Sequence, residues 1–265
     1  MYVSVRVNMN LYEAIYLRHS VKKYKKQPVD PETLQKIGLF YEKTQPLVPG
    51  IETEIGIREN LTGRHVQRGL FSVSAPYYLL IYSESRDRAN MNAGYIGEQL
   101  SLYMMTLGLA SCFLAGTSLA GTPKTRGDKQ LVIIMAFGYP EGKLTRRPED
   151  AKRLPLSDLC VFKNEPTRWM NQVLEAARLA PSPFNRQPWR FVVVGSRIHI
   201  FSRKDGLDKL KNLDAFGFGI MFSHIAVASE ELWLDVDLIR LENISQKNFK
   251  SSQYVLSAIV RSQES

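Results

Sequence analysis

The sequence predicts an α+β protein of two related halves, helices surrounding mixed β-sheets, with the second half repeating the order of the first. Two long segments with apolar residues at helical spacing, 92–109 and 214–234, fall one in each half. Short runs dense in Tyr, Leu, Ile and Val, at 77–82, 131–137, 191–194 and 253–260, have the length and composition of buried strands. Turns rich in Pro, Gly and small polar residues separate the two kinds of segment. The expected halves are 1–160 and 161–265, internally duplicated and packed as one compact unit.

In the first half, Asn10 caps a helix carrying Leu11, Ala14, Ile15 and Leu17. It runs into Arg18-His19-Ser20-Val21-Lys22-Lys23-Tyr24-Lys25-Lys26. That segment reads either as a solvated basic turn or, with Arg18, Ser20 and Lys22 brought together, as a grip on phosphate or a polar heterocycle. Asp30 as cap and Pro31 at the first helical position open a second helix that ends by 46–50. Residues 51–57 alternate Ile with Glu, Thr or Gly, the pattern of a half-buried strand. Beyond strand 77–82, the helix 92–109 places Ile96, Leu100, Tyr103 and Leu107 on one stripe. The stretch 109–116 reads as a small-residue loop, either an ordinary connection or one whose backbone at Ala115 and Gly116 admits a planar ligand. Strand 131–137 exits through Gly138-Tyr139-Pro140, and the basic residues from Lys143 to Arg153, diluted by acidic ones, read as a solvated loop.

In the second half a helix over 166–179 turns Trp169, Val173, Ala176, Ala177 and Ala180 toward the core. The loop that follows, Ala180-Pro181-Ser182-Pro183-Phe184-Asn185-Arg186-Gln187-Pro188-Trp189-Arg190-Phe191, holds three prolines, which fix φ and remove backbone donors. Ser182, Asn185 and Gln187 supply polar groups that hold either the loop itself or a ligand. Strand 191–194 pairs with 198–201 across Gly195-Ser196. In the helix 214–234, His224 reads as a hydrogen-bonded core histidine and Trp233 as a core residue. Strand 253–260 leads to a polar tail.

Composition narrows the chemistry. The 265 residues, 44% of them apolar, suffice for a substantial core. Thirty-five Lys and Arg against 26 Asp and Glu give a net charge of +9, which favours anionic ligands. The basic residues are spread along the chain and no nucleic-acid motif focuses them, so nucleic acid is not an expected partner. Cys112 and Cys160 lie in or beside apolar segments, which favours reduced thiols over a disulfide framework. With no signal-like N-terminus and no run of membrane-spanning length, the expectation is a soluble, cytoplasmic protein without membrane insertion. No hydrolase nucleophile turn, Walker loop, dinucleotide glycine run or metal-ligand spacing is present. Chemistry supplied by a cofactor remains.

The chain resembles the FMN-dependent nitroreductase family, in particular its fused form with two related halves in one polypeptide. The resemblance rests on Arg18-His19-Ser20-Val21-Lys22-Lys23-Tyr24 and on Ala180-Pro181-Ser182-x-x-Asn185-x-Gln187-Pro188-Trp189-x-Phe191. Leu107-Gly108-Leu109 with Gly116, and Phe137-Gly138-Tyr139-Pro140 followed by Arg153-Leu154-Pro155, are similar to two further landmarks in the same order. Residues 42–68 and 235–265 match poorly.

The resemblance implies a nitroreductase-like fold and one composite FMN site per chain. The first half keeps the basic segment but has 43–50 where the loop belongs, while the second keeps the loop but begins Glu165-Pro166-Thr167-Arg168-Trp169. By the same resemblance, Arg18 and Arg153 would hold the phosphate, with Lys152 as a substitute cation. His19, Ser20 and Lys22 would bind the cofactor, Ser20 and Lys22 at its ribityl and pyrimidine atoms. Pro181, Ser182 and Asn185 would cover the ring, and the backbone at Ala115 and Gly116 would approach its redox edge. An acidic residue that some members carry at the position of Ala115 is absent. No protein group acts as a catalytic residue and no metal is expected; NADH or NADPH donates electrons, and a nitroaromatic, quinone or related small molecule accepts them in a ping-pong cycle. The same residues also admit a specialised flavin-dependent dehydrogenase, or a flavin-binding sensor or storage protein without turnover. A single chain suffices to complete such a site, with further association left open.

Overall fold

The computed structural model describes residues 9–63, 67–68, 73–204, 210–247 and 249–261. Its contacts divide the chain into two units, Met1–Ala151 and Lys152–Ser265. Residues 152–160, grouped with the first half from the sequence, therefore pack with the second unit.

Unit 1 runs α1 (Leu11–Leu17), α2 (Pro31–Lys43), β1 (Thr53–Glu59), β2 (Gln67–Arg68), β3 (Tyr77–Glu84), α3 (Ala89–Thr106), β4 (Ala110–Leu114), β5 (Ser118–Leu119), β6 (Thr125–Arg126) and β7 (Lys129–Gly138). The start of α1 is a capping box: Asn10 Oδ1 accepts from Glu13 N at 2.8 Å, and Glu13 Oε2 accepts from Asn10 N at 3.0 Å. Asp30 precedes α2 without a side-chain bond to it, so Pro31 at the first turn marks that start instead.

The main sheet of unit 1 has the order β1-β3-β7-β4, all antiparallel. The two-residue alternation sorts its side chains. Tyr78, Leu80, Tyr82, Cys112, Leu114, Ile134 and Ala136 share a buried cluster with Val21 and Tyr24. The opposite face meets α3: Ser101 and Ser111 hydroxyls lie 2.8 Å apart, and a Cβ on Gly97 would stand 3.0 Å from Ile81 Cδ1. The stretch 109–116, expected as a loop, is instead mostly β4. Its small residues Ala110 and Ser111 read as loop-like locally, but five consecutive pairings with β7 make it a strand.

Unit 2 runs α4 (Leu156–Leu159), β8 (Cys160–Phe162), α5 (Arg168–Arg178), β9 (Trp189–Val194), β10 (Arg197–Arg203), α6 (Lys211–Glu231), β11 (Val236–Ile239), α7 (Glu242–Ser245) and β12 (Ser252–Val260). Its sheet has the order β11-β12-β10-β9-β8, antiparallel except for the β8·β9 pair. Leaving out β8, the path β9-β10-β12-β11 repeats the order and sense of β1-β3-β7-β4, and α6 follows β10 as α3 follows β3. The hairpin expected across Gly195-Ser196 is present, Val194 opposite Arg197.

His224 is buried, its Nδ1 2.8 Å from Ala176 O, which ties α6 to α5. Two tryptophans depart from expectation. Trp169 is only half-buried, and Met170 and Leu174 take the core positions of α5. Trp233, expected in the core, is 88% exposed. It follows the last turn of α6 with φ 56°, a left-handed position that turns its side chain out of the helix's apolar surface. Both cysteines are buried free thiols; burial pushes Cys160 up to about 12. No helix of the described residues is long and apolar enough to cross a membrane.

Candidate functional site

In unit 1 the basic segment lies on the sheet by its apolar residues. Val21 and Tyr24 are buried in the core cluster, Val21 N donates to Ser111 O at 3.2 Å, and Lys25 N donates to Tyr139 O at 2.9 Å. Tyr24 Oη lies 2.6 Å from Val21 O and 3.2 Å from Ala136 O, and burial drives its phenol well above the usual range. This anchoring leaves Ser20, Lys22 and Lys23 exposed. His19 Nε2 lies 3.0 Å from Lys143 O, and Arg146 Nε donates to Arg18 O at 2.6 Å, so 143–146 backs the segment.

Arg18 turns inward. It is 4% exposed and its Nε lies 3.6 Å from Oε1 of Glu98, which is fully buried on α3. Its Nη2 is buried without a hydrogen-bond partner. On β4, burial pushes the Cys112 thiol up, against the opposing pull of Arg18, Lys22 and Ser20. At the end of β4, Ala115 is half-buried and Gly116 is exposed, with φ 68° and open space where a Cβ would stand. Backbone there can approach a ligand that a side chain would block.

In unit 2, Lys152, Arg153, Pro181, Ser182 and Asn185 come together on and beside the loop after α5. The side chains of Ser182, Asn185 and Gln187 are bonded from within the unit, while the buried Nε1 of Trp189 has no hydrogen-bond partner. Ser182 Oγ accepts from Gln187 N at 2.9 Å, Gln187 Oε1 accepts from Leu154 N at 2.8 Å, and Gln187 Nε2 donates to Asn185 O at 3.2 Å. Arg153 donates through Nε to Ala180 O at 3.0 Å and through Nη1 to Asn185 Oδ1 at 2.8 Å. Asn185 Nδ2 donates to Lys152 O at 3.0 Å. Arg186 makes a two-point ion pair with Asp214 on α6, at 3.0 and 3.1 Å. Trp189 is fully buried and anchors the loop's far end. The self-held reading of Ser182, Asn185 and Gln187 thus describes their side chains, while Lys152, Asn185 and Phe184 remain at the surface.

Within unit 1 the donor set suits a phosphorylated, carbonyl-bearing heterocycle: exposed Ser20 and Lys22, the unspent Nη2 of Arg18, and open backbone at Gly116. Sequence reasoning missed Glu98, Arg186 and Asp214. The one charged residue in the helical run 96–105 was the available signal for the first. The Arg186–Asp214 pair had none, since its members lie on different elements. No group of metal-ligating side chains occurs among the described residues.

A family model described as "Putative TM nitroreductase" matches residues 10–229. A solved structure of like description from Thermotoga maritima is 22% identical, covers 95% of this chain and 94% of that chain, and superposes with a TM-score of 0.62. That likeness is one of fold. A nitroreductase family protein from Clostridium difficile is 17% identical over 59% of this chain and 100% of its own, with a TM-score of 0.45. An FMN-dependent nitroreductase, also from Clostridium difficile, is 20% identical over 57% of this chain and 98% of its own, with a TM-score of 0.41. No curated protein matches the chain.

Proposed function

The chain belongs to the nitroreductase family whose model it matches over residues 10–229, and from that membership we propose that it is an FMN-dependent oxidoreductase using NADH or NADPH to reduce a nitroaromatic, quinone or related small acceptor. The observation that carries this reading is that both segments of the family likeness are held in place by the fold, the basic segment anchored on the sheet of unit 1 and the loop after α5 bonded within unit 2. The repeated strand order supports reading the two units as copies of one half.

When bound, FMN would supply two-electron redox chemistry between a nicotinamide and the acceptor. The chain's residues bind and orient. Lys22 would place a cation beside the bound group, Ser20 would offer a hydroxyl, and the backbone at Ala115 and Gly116 would allow close approach. In unit 1 the buried Nη2 of Arg18 would offer charge to the phosphate. Pro181 and Ser182 form a stiff wall, held by Gln187 rather than by the ligand.

The test is aerobic purification with identification of any released flavin, followed by NADH and NADPH oxidation with and without an acceptor. FMN retained in equimolar amount and acceptor-dependent turnover above that of free FMN are expected. Retained FMN without turnover would point to a flavin-holding protein, and absence of flavin binding removes the reading altogether.

A further inference from the structure

The pair formed by Arg18 and Glu98 is poorly built for stability. Their side chains are 4% and 0% exposed, so both charges have left water. An interior ion pair offsets that desolvation only with close geometry and with hydrogen bonds for the remaining donors. Here Arg18 Nε stands 3.6 Å from Glu98 Oε1, longer than a hydrogen bond, and Arg18 Nη2 is buried without a hydrogen-bond partner. Well-packed apolar side chains would serve the fold as well. What the pair adds is a guanidinium held inside with donor capacity unspent.

The surroundings give that guanidinium a direction of use. Its backbone is fixed: Arg18 N donates to Ala14 O at 2.9 Å, closing α1, and Arg18 O accepts from Arg146 Nε at 2.6 Å. Of the Lys and Arg side chains from 18 to 26, Arg18 alone is buried, while Lys22, Lys23, Lys25 and Lys26 are exposed. Glu98 is the one charged residue of α3. Without it, a positive charge in the interior would lie next to a segment of like charge, with nothing on α3 to balance it. An arriving phosphate would supply the same balance, and the two anions would repel each other.

Resting on the flavin reading above, we infer that Glu98 is a specificity-determining residue, the internal counter-ion of Arg18. Its carboxylate balances the guanidinium while no flavin is bound and opposes the FMN phosphate, which takes over that balance on binding. Glu98 therefore stabilises the flavin-free protein and weakens the hold on phosphate. It limits how far FMN is preferred over riboflavin, which carries no phosphate.

The experiment measures FMN and riboflavin affinities for flavin-free wild type, Glu98→Gln, Glu98→Asp, Arg18→Met and the double variant Arg18→Met, Glu98→Gln, with thermal unfolding in each flavin. In Glu98→Gln, FMN affinity should rise about tenfold while riboflavin affinity stays within about twofold of wild type, because only FMN carries charge that Glu98 repels. Glu98→Asp keeps the charge and should keep the wild-type ratio of the two affinities. Arg18→Met should lower that ratio. The double variant leaves no interior charge unpaired, so it should fold without flavin and bind FMN more weakly than Glu98→Gln does. FMN should raise the unfolding midpoint of Glu98→Gln more than that of wild type, and riboflavin should raise both alike. If Glu98→Gln is unfolded without flavin, FMN and not riboflavin should restore its fold. A ratio in Glu98→Gln at or below that of wild type, or failure of FMN to restore an unfolded Glu98→Gln, overturns the inference while FMN binding by wild type keeps the flavin reading. An Arg18→Met ratio equal to wild type overturns it too, as does a ratio in Glu98→Asp that rises like that of Glu98→Gln. Wild type that binds neither flavin removes both the reading and the inference.

Discussion

Gly108 and Trp233 occupy the same place at the ends of the two longest helices. Each follows the helix cap with a left-handed φ, 79° and 56°. Around Gly108, Leu109 N reaches Met104 O at 2.9 Å and Gly108 N reaches Met105 O at 3.0 Å. Around Trp233, Leu234 N reaches Ser229 O at 2.9 Å and Trp233 N reaches Glu230 O at 3.1 Å. Both are the paired closing bonds of a Schellman end, for which glycine is the favoured residue. Trp233→Gly should therefore raise stability by about 1 kcal/mol, since the indole is largely solvent-exposed and the left-handed strain is relieved. Gly108→Ala should lower it by a similar amount. Chemical denaturation of the two variants checks both signs, and a destabilised Trp233→Gly would show that the indole has a packing role.

The Arg18–Glu98 pair predicts a larger loss. Its side chains are 4% and 0% exposed, so removing one partner leaves a buried charge. Glu98→Gln should destabilise the protein by about 3–5 kcal/mol. A denaturation midpoint equal to that of wild type would mean that Arg18 finds another partner in the interior.

Gly138 admits no side chain. Its φ is 154° and a Cβ there would stand 2.5 Å from Pro76 Cγ, on a rigid ring that cannot swing aside. Gly138→Ala should cost about 1–3 kcal/mol, the range for overpacking. Thermal unfolding beside Gly142→Ala, a site with open space, isolates the clash from a general glycine effect.

His199 sets a pH dependence. Burial and then the neighbouring Arg197 hold its imidazolium below the usual range, while Nδ1 lies 2.8 Å from Ser257 Oγ. A base with a depressed folded pKa takes up its proton first in the unfolded chain. Stability contributed by neutral His199 is therefore present above the unfolded value of about 6.5 and falls as pH drops from there toward the folded value. The slope cannot exceed about 1.4 kcal/mol per pH unit for one proton. Stability measured from pH 7.5 to pH 5 should show this component in wild type and lose it in His199→Gln; parallel curves would remove it.

Much of this was legible without coordinates. The period of 92–109 and 214–234, the run of 77–82 and the Asn10 cap are local patterns, because helix and strand repeats are written within a few residues. The two segments that carry the family likeness were legible for the same reason, each being contiguous in the chain. What lay between distant residues was not. Gln187 was recognised as polar, but its bond to Leu154 comes from across the fold.

The sequence by itself determined the long helices and main strands, the α+β class, the buried His224 and the two segments of the family likeness, because each depends on spacing or composition along a short stretch. Tertiary structure decided the rest. Residues 110–114 became a strand only by pairing with β7, and Trp233 left the core because the helix end demanded a left-handed residue. Arg18 turned to Glu98, and Arg153 met Asn185 from 32 residues away. A cation in a sequence shows only its charge, and which oxygens it meets depends on contacts that the fold creates.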